Sequence, residues 1–234
     1  TTGMVKIDAG YARLGNSEAR IRMCLDEYLS DEHLQQLVGC VKQEPLSRTF
    51  VGEFWMDRYE VTNAEYARFV KATDRHWPEH WTGANPPPEL KDHPVVNVRY
   101  EDAEAFAGWL GKKLPTREQW MRAFRGDNDT LFPWGDEYDA ALANVADNPS
   151  HPSTSSVDAT QRDLSCFDVC NLAGNASEYI RGMVTHTGSR CRVTKGAHYA
   201  ALGYVYGVGS MSVYFTFDSL PNEGVGFRCV VEPP

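Results

Sequence analysis

Long apolar runs are missing from this 234-residue sequence, and no stretch offers the roughly eighteen consecutive apolar residues that a bilayer-spanning helix needs. Residues 1–7 carry no basic stretch leading into an apolar one, so a secretory leader is expected to have been removed or never to have existed. Positive charge is also scarce. With 23 Lys and Arg against 32 Asp and Glu the net charge is −9, and the longest basic run is Lys112-Lys113. Nucleic acid is therefore excluded as a partner, because phosphate-backbone affinity rests on clustered cations releasing counterions. Cysteine is sparse: Cys24, Cys40, Cys166, Cys170, Cys191 and Cys229 lack both the density of a disulfide scaffold and the doubled C-x2-C spacing of a zinc site. Cys166 and Cys170 could close a small bridge, but buried thiols are the expectation. No H-E-x-x-H, G-x-S-x-G or P-loop phrase occurs. His76 and His80 stand four apart, yet Pro78 between them denies the pair a helical ligand face.

What is present is an ordinary soluble composition, 42% hydrophobic and 24% charged, without internal repeat or linker, so one domain over residues 1–234 is expected. Thr62 and Glu65 form a capping box ahead of Tyr66, Phe69 and Val70, which predicts a helix over 62–72. Ala105, Phe106, Trp109 and Leu110 recur at helical spacing and predict a second over 101–110, ending at Gly111. Pro115 followed by Thr116 and Gln119 starts a third over 116–125. A shorter helix is expected from Ser30 to Gly39, burying Leu34, Leu37 and Val38. From Leu131 onward no helical period returns, and short strands within irregular loop are expected. Phe227 beside Arg228 reads as a terminal strand with one face buried.

Six phrases lie in a recognisable order: 54-FWMDRYEVTN-63, 93-HPVVNV-98, 111-GKKLPTREQW-120, 132-FPWG-135, 171-NLAGNASEY-179 and 224-GVGFRC-229. Together they resemble the formylglycine-generating-enzyme, or sulfatase-modifying-factor, family. The resemblance implies an α+β fold of C-type-lectin type, with few helices, short antiparallel strands and much irregular loop. Catalytic members carry two cysteines shortly after an R-V-x-x-G-G-S turn, where thiolates hold copper(I), a soft ion suited to sulfur. Here the turn is 192-RVTKGAH-198, and no cysteine follows before Cys229. Without a thiolate pair neither metal binding nor thiol oxidation has a carrier, so no catalytic residue is assigned; a copper- or iron-dependent oxidoreductase is the alternative that resemblance alone sustains. The family's G-N-x-W-E-W loop folds around calcium, and Gly174, Asn175, Ala176 and Glu178 keep its oxygen donors, so these residues either hold Ca²⁺ or merely cap a turn.

From Gly196 to Asn222 a single residue, Asp218, is formally charged, while Tyr199, Tyr204, Tyr206, Tyr214, Phe215 and Phe217 alternate with Gly and Ser. Tyr, Ser and Gly in alternation are the composition of a binding loop, since rigid amphipathic rings give contact area at low entropic cost. About a third to a half of the stretch should face inward, as alternate side chains of a half-buried strand do. The stretch also lacks Lys, Glu, Gln and Trp and has one Met. Those are the types an asparagine codon cannot reach when only its adenines are replaced. In this the segment is similar to the C-type-lectin-fold variable proteins of diversity-generating retroelements. The resemblance implies a variable region over 197–222 that recognises a protein or other macromolecular ligand, and location at a cell surface or outside the cell. His198, Tyr199, Ala201, Tyr204, Tyr206, Tyr214, Phe215, Phe217 and Asp218 are the expected contact residues.

Overall fold

Helix starts are fixed by side chains that reach back to the orphaned amides of the first turn. The computed structural model describes residues 3–25, 30, 32, 35, 46–128, 130–148, 152–159, 162–186, 189–203, 216–217 and 223–233. Among these the order is β1 (Met4–Ile7), β2 (Gly10–Leu14), α1 (Glu18–Leu25), β3 (Ser47–Val51), β4 (Phe54–Asp57), α2 (Asn63–Thr73), α3 (Tyr100–Trp109), α4 (Arg117–Arg125), β5 (Ser177–His186), β6 (Ser189–Lys195), β7 (Thr216–Phe217), β8 (Val225–Gly226) and β9 (Val230–Val231). At α2 the Thr62 hydroxyl accepts from the Glu65 amide, and the Glu65 carboxylate accepts from the Thr62 amide. Thr116 and Gln119 repeat this box at α4, which stops at Gly126 in the left-handed region (φ 58°). These three helices lie within a residue of the sequence expectation. Helix α1 was not anticipated: Ile21 and Leu25 are buried, but Glu18, Arg20 and Arg22 between and before them blur the apolar period. Of the expected 30–39 helix only residues 30, 32 and 35 are described, of which Glu32 and Gln35 are helical; the others lie outside the described residues.

Three small sheets divide the work. In the first, β4 pairs antiparallel with β1 on one side and β9 on the other, so the two ends of the chain meet at Met56, opposite both Val5 and Val230. The second is the antiparallel β2–β3 pair, whose strands are separated in sequence by α1 and on which α4 packs. The third has the order β7-β6-β5-β8, with β8 parallel to β5 and the other pairs antiparallel. Strand β5 runs ten residues, longer than the short strands expected, because a register shift between Ile180 and Met183, with Gly182 at φ 132°, lets one strand bend and stay paired.

Two apolar clusters fill the interior. One joins Ile7, Phe54, Met56, Trp120, Phe124, Ile180 and Val193 from the sheets and α4. The other stacks α2 against α3 through Tyr66, Phe69 and Phe106 and reaches Tyr179 and Phe227. The expected terminal strand is corrected here. Phe227–Cys229 lies between β8 and β9, and Phe227 and Arg228 are both fully buried, because Arg228 enters a polar centre instead of facing water. The cysteines divide: Cys170 and Cys229 are free and buried, whereas Cys166 is free but exposed, contrary to the burial expected of both members of its pair.

Candidate functional site

Next to residues 198–203 the chain gathers a buried polar centre, an arrangement that stays folded only when each group finds partners. Arg228 is its hub. Its Nε lies 2.8 Å from both carboxylate oxygens of Glu178 on β5, and its remaining nitrogens donate to the carbonyls of Asp57, Arg58 and Cys170. The second Glu178 oxygen also accepts from the Trp120 indole at 2.9 Å, so α4 is bound to the same carboxylate. Burial alone would favour loss of the Arg228 proton, but the charges of Glu178 and Glu60 outweigh it and hold the guanidinium protonated. Glu60 completes the ring, its two oxygens accepting from the side-chain amides of Asn171 and Asn175 at 2.9 Å each. Both asparagines stand at positive φ, 61° and 68°, which asparagine tolerates better than most residues. Burial pushes the Glu60 carboxyl up to about 7 despite Arg228, and it does the same to Asp163.

This centre bears on the calcium expectation. The Glu178 carboxylate is occupied by a guanidinium and an indole N–H, and the Asn175 side-chain oxygen accepts from Asn144 Nδ2 (3.0 Å) and the Ser155 amide (2.8 Å). A second cation beside Arg228 would be repelled. In this geometry the side-chain oxygens of Asn175 and Glu178 are taken by protein donors, which clamp the loop. Among the described residues no group of three His, Cys, Asp or Glu side chains is placed to hold a metal, and no helix is long and apolar enough to cross a membrane.

The C-terminal stretch starts directly on this frame. The Tyr199 amide donates to the Asn175 carbonyl (3.1 Å), the Ala146 amide to the Ala201 carbonyl (2.9 Å), and the Gly203 amide to the Asp147 carboxylate (2.7 Å). His198 and Tyr199 are half-buried, with rings edge-to-face at 5.8 Å, and burial lowers the His198 pKa. His198 lies over Gly224, where a methyl group would come within 2.6 Å of its ring. Ala201 is corrected: at 4% exposure it packs into the first apolar cluster, because its flanking backbone bonds turn it inward. The stretch rejoins the sheet at β7, where Phe217 stands opposite Cys191 of β6. Tyr204, Tyr206, Tyr214, Phe215 and Asp218 lie outside the described residues.

Sequence reasoning missed Asp147, Tyr138, Asn144 and Glu60 as participants. The positive-φ asparagines of 171-NLAGN-175 are the local signal of a clamped turn, but nothing in the sequence marks which carboxylate the amides would meet.

Comparison with known proteins follows this geometry. The chain is 29% identical over 176 residues to the formylglycine-generating enzyme of Thermomonospora curvata, covering 58% of this chain and 53% of that protein, so it spans about half the length of that relative. Among solved structures, PvdO from Pseudomonas aeruginosa superposes with a TM-score of 0.72 at 20% identity, covering 97% of this chain and 93% of that one. Treponema denticola variable protein 1 superposes with a TM-score of 0.70 at 18% identity, over 98% and 95% of the two chains. These likenesses establish the fold expected from the six phrases. Residues 1–233 match the sulfatase-modifying factor enzyme 1-like domain, and the chain belongs to that formylglycine-generating-enzyme family.

Proposed function

We propose that this chain is a non-catalytic ligand-binding protein, a variable protein of diversity-generating-retroelement type, recognising a protein or other macromolecule through the 198–222 stretch. The observation that carries the reading is the contrast between an over-determined frame and the segment it holds. Residues 198–203 are bonded into the frame at Asn175, Ala146 and Asp147, while the stretch they lead into is uncharged but for Asp218 and rich in tyrosine. Aromatic side chains among small residues, presented from a rigid support, are the composition and mechanics of a recognition surface. The absence of cysteine between Val193 and Cys229 supports the same reading, because the copper chemistry of the enzymes needs a thiolate pair there. A C-type-lectin fold shared with a protein titled a variable protein is consistent with it. On this reading the protein acts at a cell or phage surface or outside the cell.

Sequencing the same locus from sibling isolates tests the proposal: substitutions should concentrate in residues 197–222 and spare the frame. Copper(I) titration of the reduced protein supplies the second arm. Tight stoichiometric binding would return the chain to the oxidoreductases and end the proposal.

A further inference from the structure

The β2–β3 pair turns one side inward, where Ala12, Leu14 and Val51 join the first apolar cluster. Its other side carries Tyr11, Arg13, Arg48 and Phe50, with Arg13 directly opposite Arg48 and Tyr11 directly opposite Phe50. Like charges in that register repel, so folding alone does not favour the two arginines there. The Arg48 guanidinium is nonetheless held in place, 3.7 Å from the centroid of the Tyr11 ring, which itself packs edge-to-face on Phe50 at 5.5 Å. Its side chain makes no ion pair among the described residues.

At the Leu14–Ser47 end of the pair both arginines line a cleft of about 460 Å³, and Arg20 of α1 lines it from a third element. Arg20 is fixed by its own contact, Nη2 lying 2.9 Å from the Asp136 carboxylate. The turn from β2 into α1 completes the wall, and Arg125 of α4 braces it. Only 2% exposed, Arg125 donates to the Arg13 and Gly15 carbonyls at 3.2 and 2.9 Å and to the Asn16 side-chain oxygen at 2.6 Å. Among the described residues the lining contains no acidic side chain, in a chain whose net charge is −9.

We propose that this cleft binds a phosphate group, with Arg13, Arg20 and Arg48 donating to its oxygens. Guanidinium forks match phosphate oxygens in pairs, and a dianion between Arg13 and Arg48 turns their repulsion into two charge-assisted contacts. The chain's overall negative charge is screened beyond about 10 Å at 0.1 M salt, so the three arginines set the local field. The cleft is far larger than a phosphate ion and falls within the usual range for small-molecule sites, about 300–1,000 Å³. The remainder of a phosphorylated small molecule would lie beside Leu46, which is 66% exposed. The cleft shares no residue with the 198–222 stretch and is filled independently of it.

Titration of the full chain with inorganic phosphate and with glucose 6-phosphate, followed by backbone amide shifts, tests the site; glucose is the control. Both phosphates should shift the amides of Arg13, Ser17 and Arg48 saturably, and glucose should not. Tighter binding of the ester identifies a phosphorylated small molecule as the ligand, and exclusion of the ester identifies the free ion. Arg48→Gln should weaken binding at least about tenfold and leave the unfolding midpoint in place, because its side chain is exposed. Arg48→Lys, which keeps the charge and loses the fork, should recover part of the affinity. Arg22→Gln removes the same charge from α1 outside the cleft and should bind like the parent. Shifts that do not saturate, full affinity in Arg48→Gln, or an equal loss in Arg22→Gln would overturn the proposal.

Discussion

Arg228 Nη2 lies 2.6 Å from Glu178 Oε1, and neither side chain has measurable contact with solvent beyond 1%. The pair ties the last turn before β9 to β5, and through the Trp120 indole to α4. Removing one partner leaves the other as an uncompensated buried charge, so Arg228→Met should destabilise the fold by about 3–5 kcal/mol. Arg228→Lys should recover only part of this, because an ammonium cannot make the in-plane set of bonds to Glu178 and three carbonyls. Denaturant unfolding at neutral pH reads both values. A loss below about 1 kcal/mol for Arg228→Met would show that the pair is not what holds these elements together.

Asp163 predicts a pH dependence of definite sign. Burial raises its pKa from 3.8 to about 7 in the folded chain, so the folded state binds its proton more tightly than the unfolded one. Its contribution is complete below about pH 4 and is lost as pH rises toward 7, by on the order of a few kcal/mol. Asp163→Asn keeps an oxygen for the Ala173 amide and removes the titration. The melting temperature of the variant relative to the parent should therefore climb between pH 5 and pH 8. A constant difference across that range would contradict the assignment.

Occupation of Glu178 by Arg228 makes a third expectation, about calcium. A ligand bound by the folded state alone raises stability in proportion to the logarithm of its concentration over Kd. Millimolar calcium and an excess of chelator should give the same melting temperature. A rise of several degrees with calcium would mean that other buried oxygens, such as Asn144 Oδ1 and Asp163 Oδ1, which have no hydrogen-bond partner among the described residues, assemble a site.

The helices were legible because their determinants are local. The boxes Thr62–Glu65 and Thr116–Gln119 and the stripe Tyr66, Phe69, Val70 need no knowledge of the rest of the chain. The polar centre was not legible for the opposite reason. Glu60, the 171–178 segment that carries Asn171 and Glu178, and Arg228 come from three separate parts of the sequence, and a charged residue beside Phe227 reads as a surface position until its partners are known. Ala201 failed likewise: its inward turn is set by a backbone bond to Ala146, which no side-chain pattern encodes. The six ordered phrases succeeded because together they specify the fold, although each alone is a short strand, turn or helix start.

Two glycines separate backbone strain from steric conflict near the candidate surface. Gly111 (φ 67°) and Gly224 (φ 84°) both occupy the left-handed region, but a Cβ at Gly111 meets nothing within 4 Å, whereas one at Gly224 meets the His198 ring at 2.6 Å. Gly111→Ala should cost about 1 kcal/mol, the conformational penalty alone. Gly224→Ala should cost about 1–3 kcal/mol more, because His198 must leave its half-buried seat. If the clash is the cause, His198→Ala combined with Gly224→Ala should restore most of the excess, giving a favourable coupling in a double-mutant cycle read by chemical denaturation. Strict additivity of the two substitutions would show that His198 is not held by Gly224, and that the stretch begins from its backbone bonds to Asn175, Ala146 and Asp147 alone.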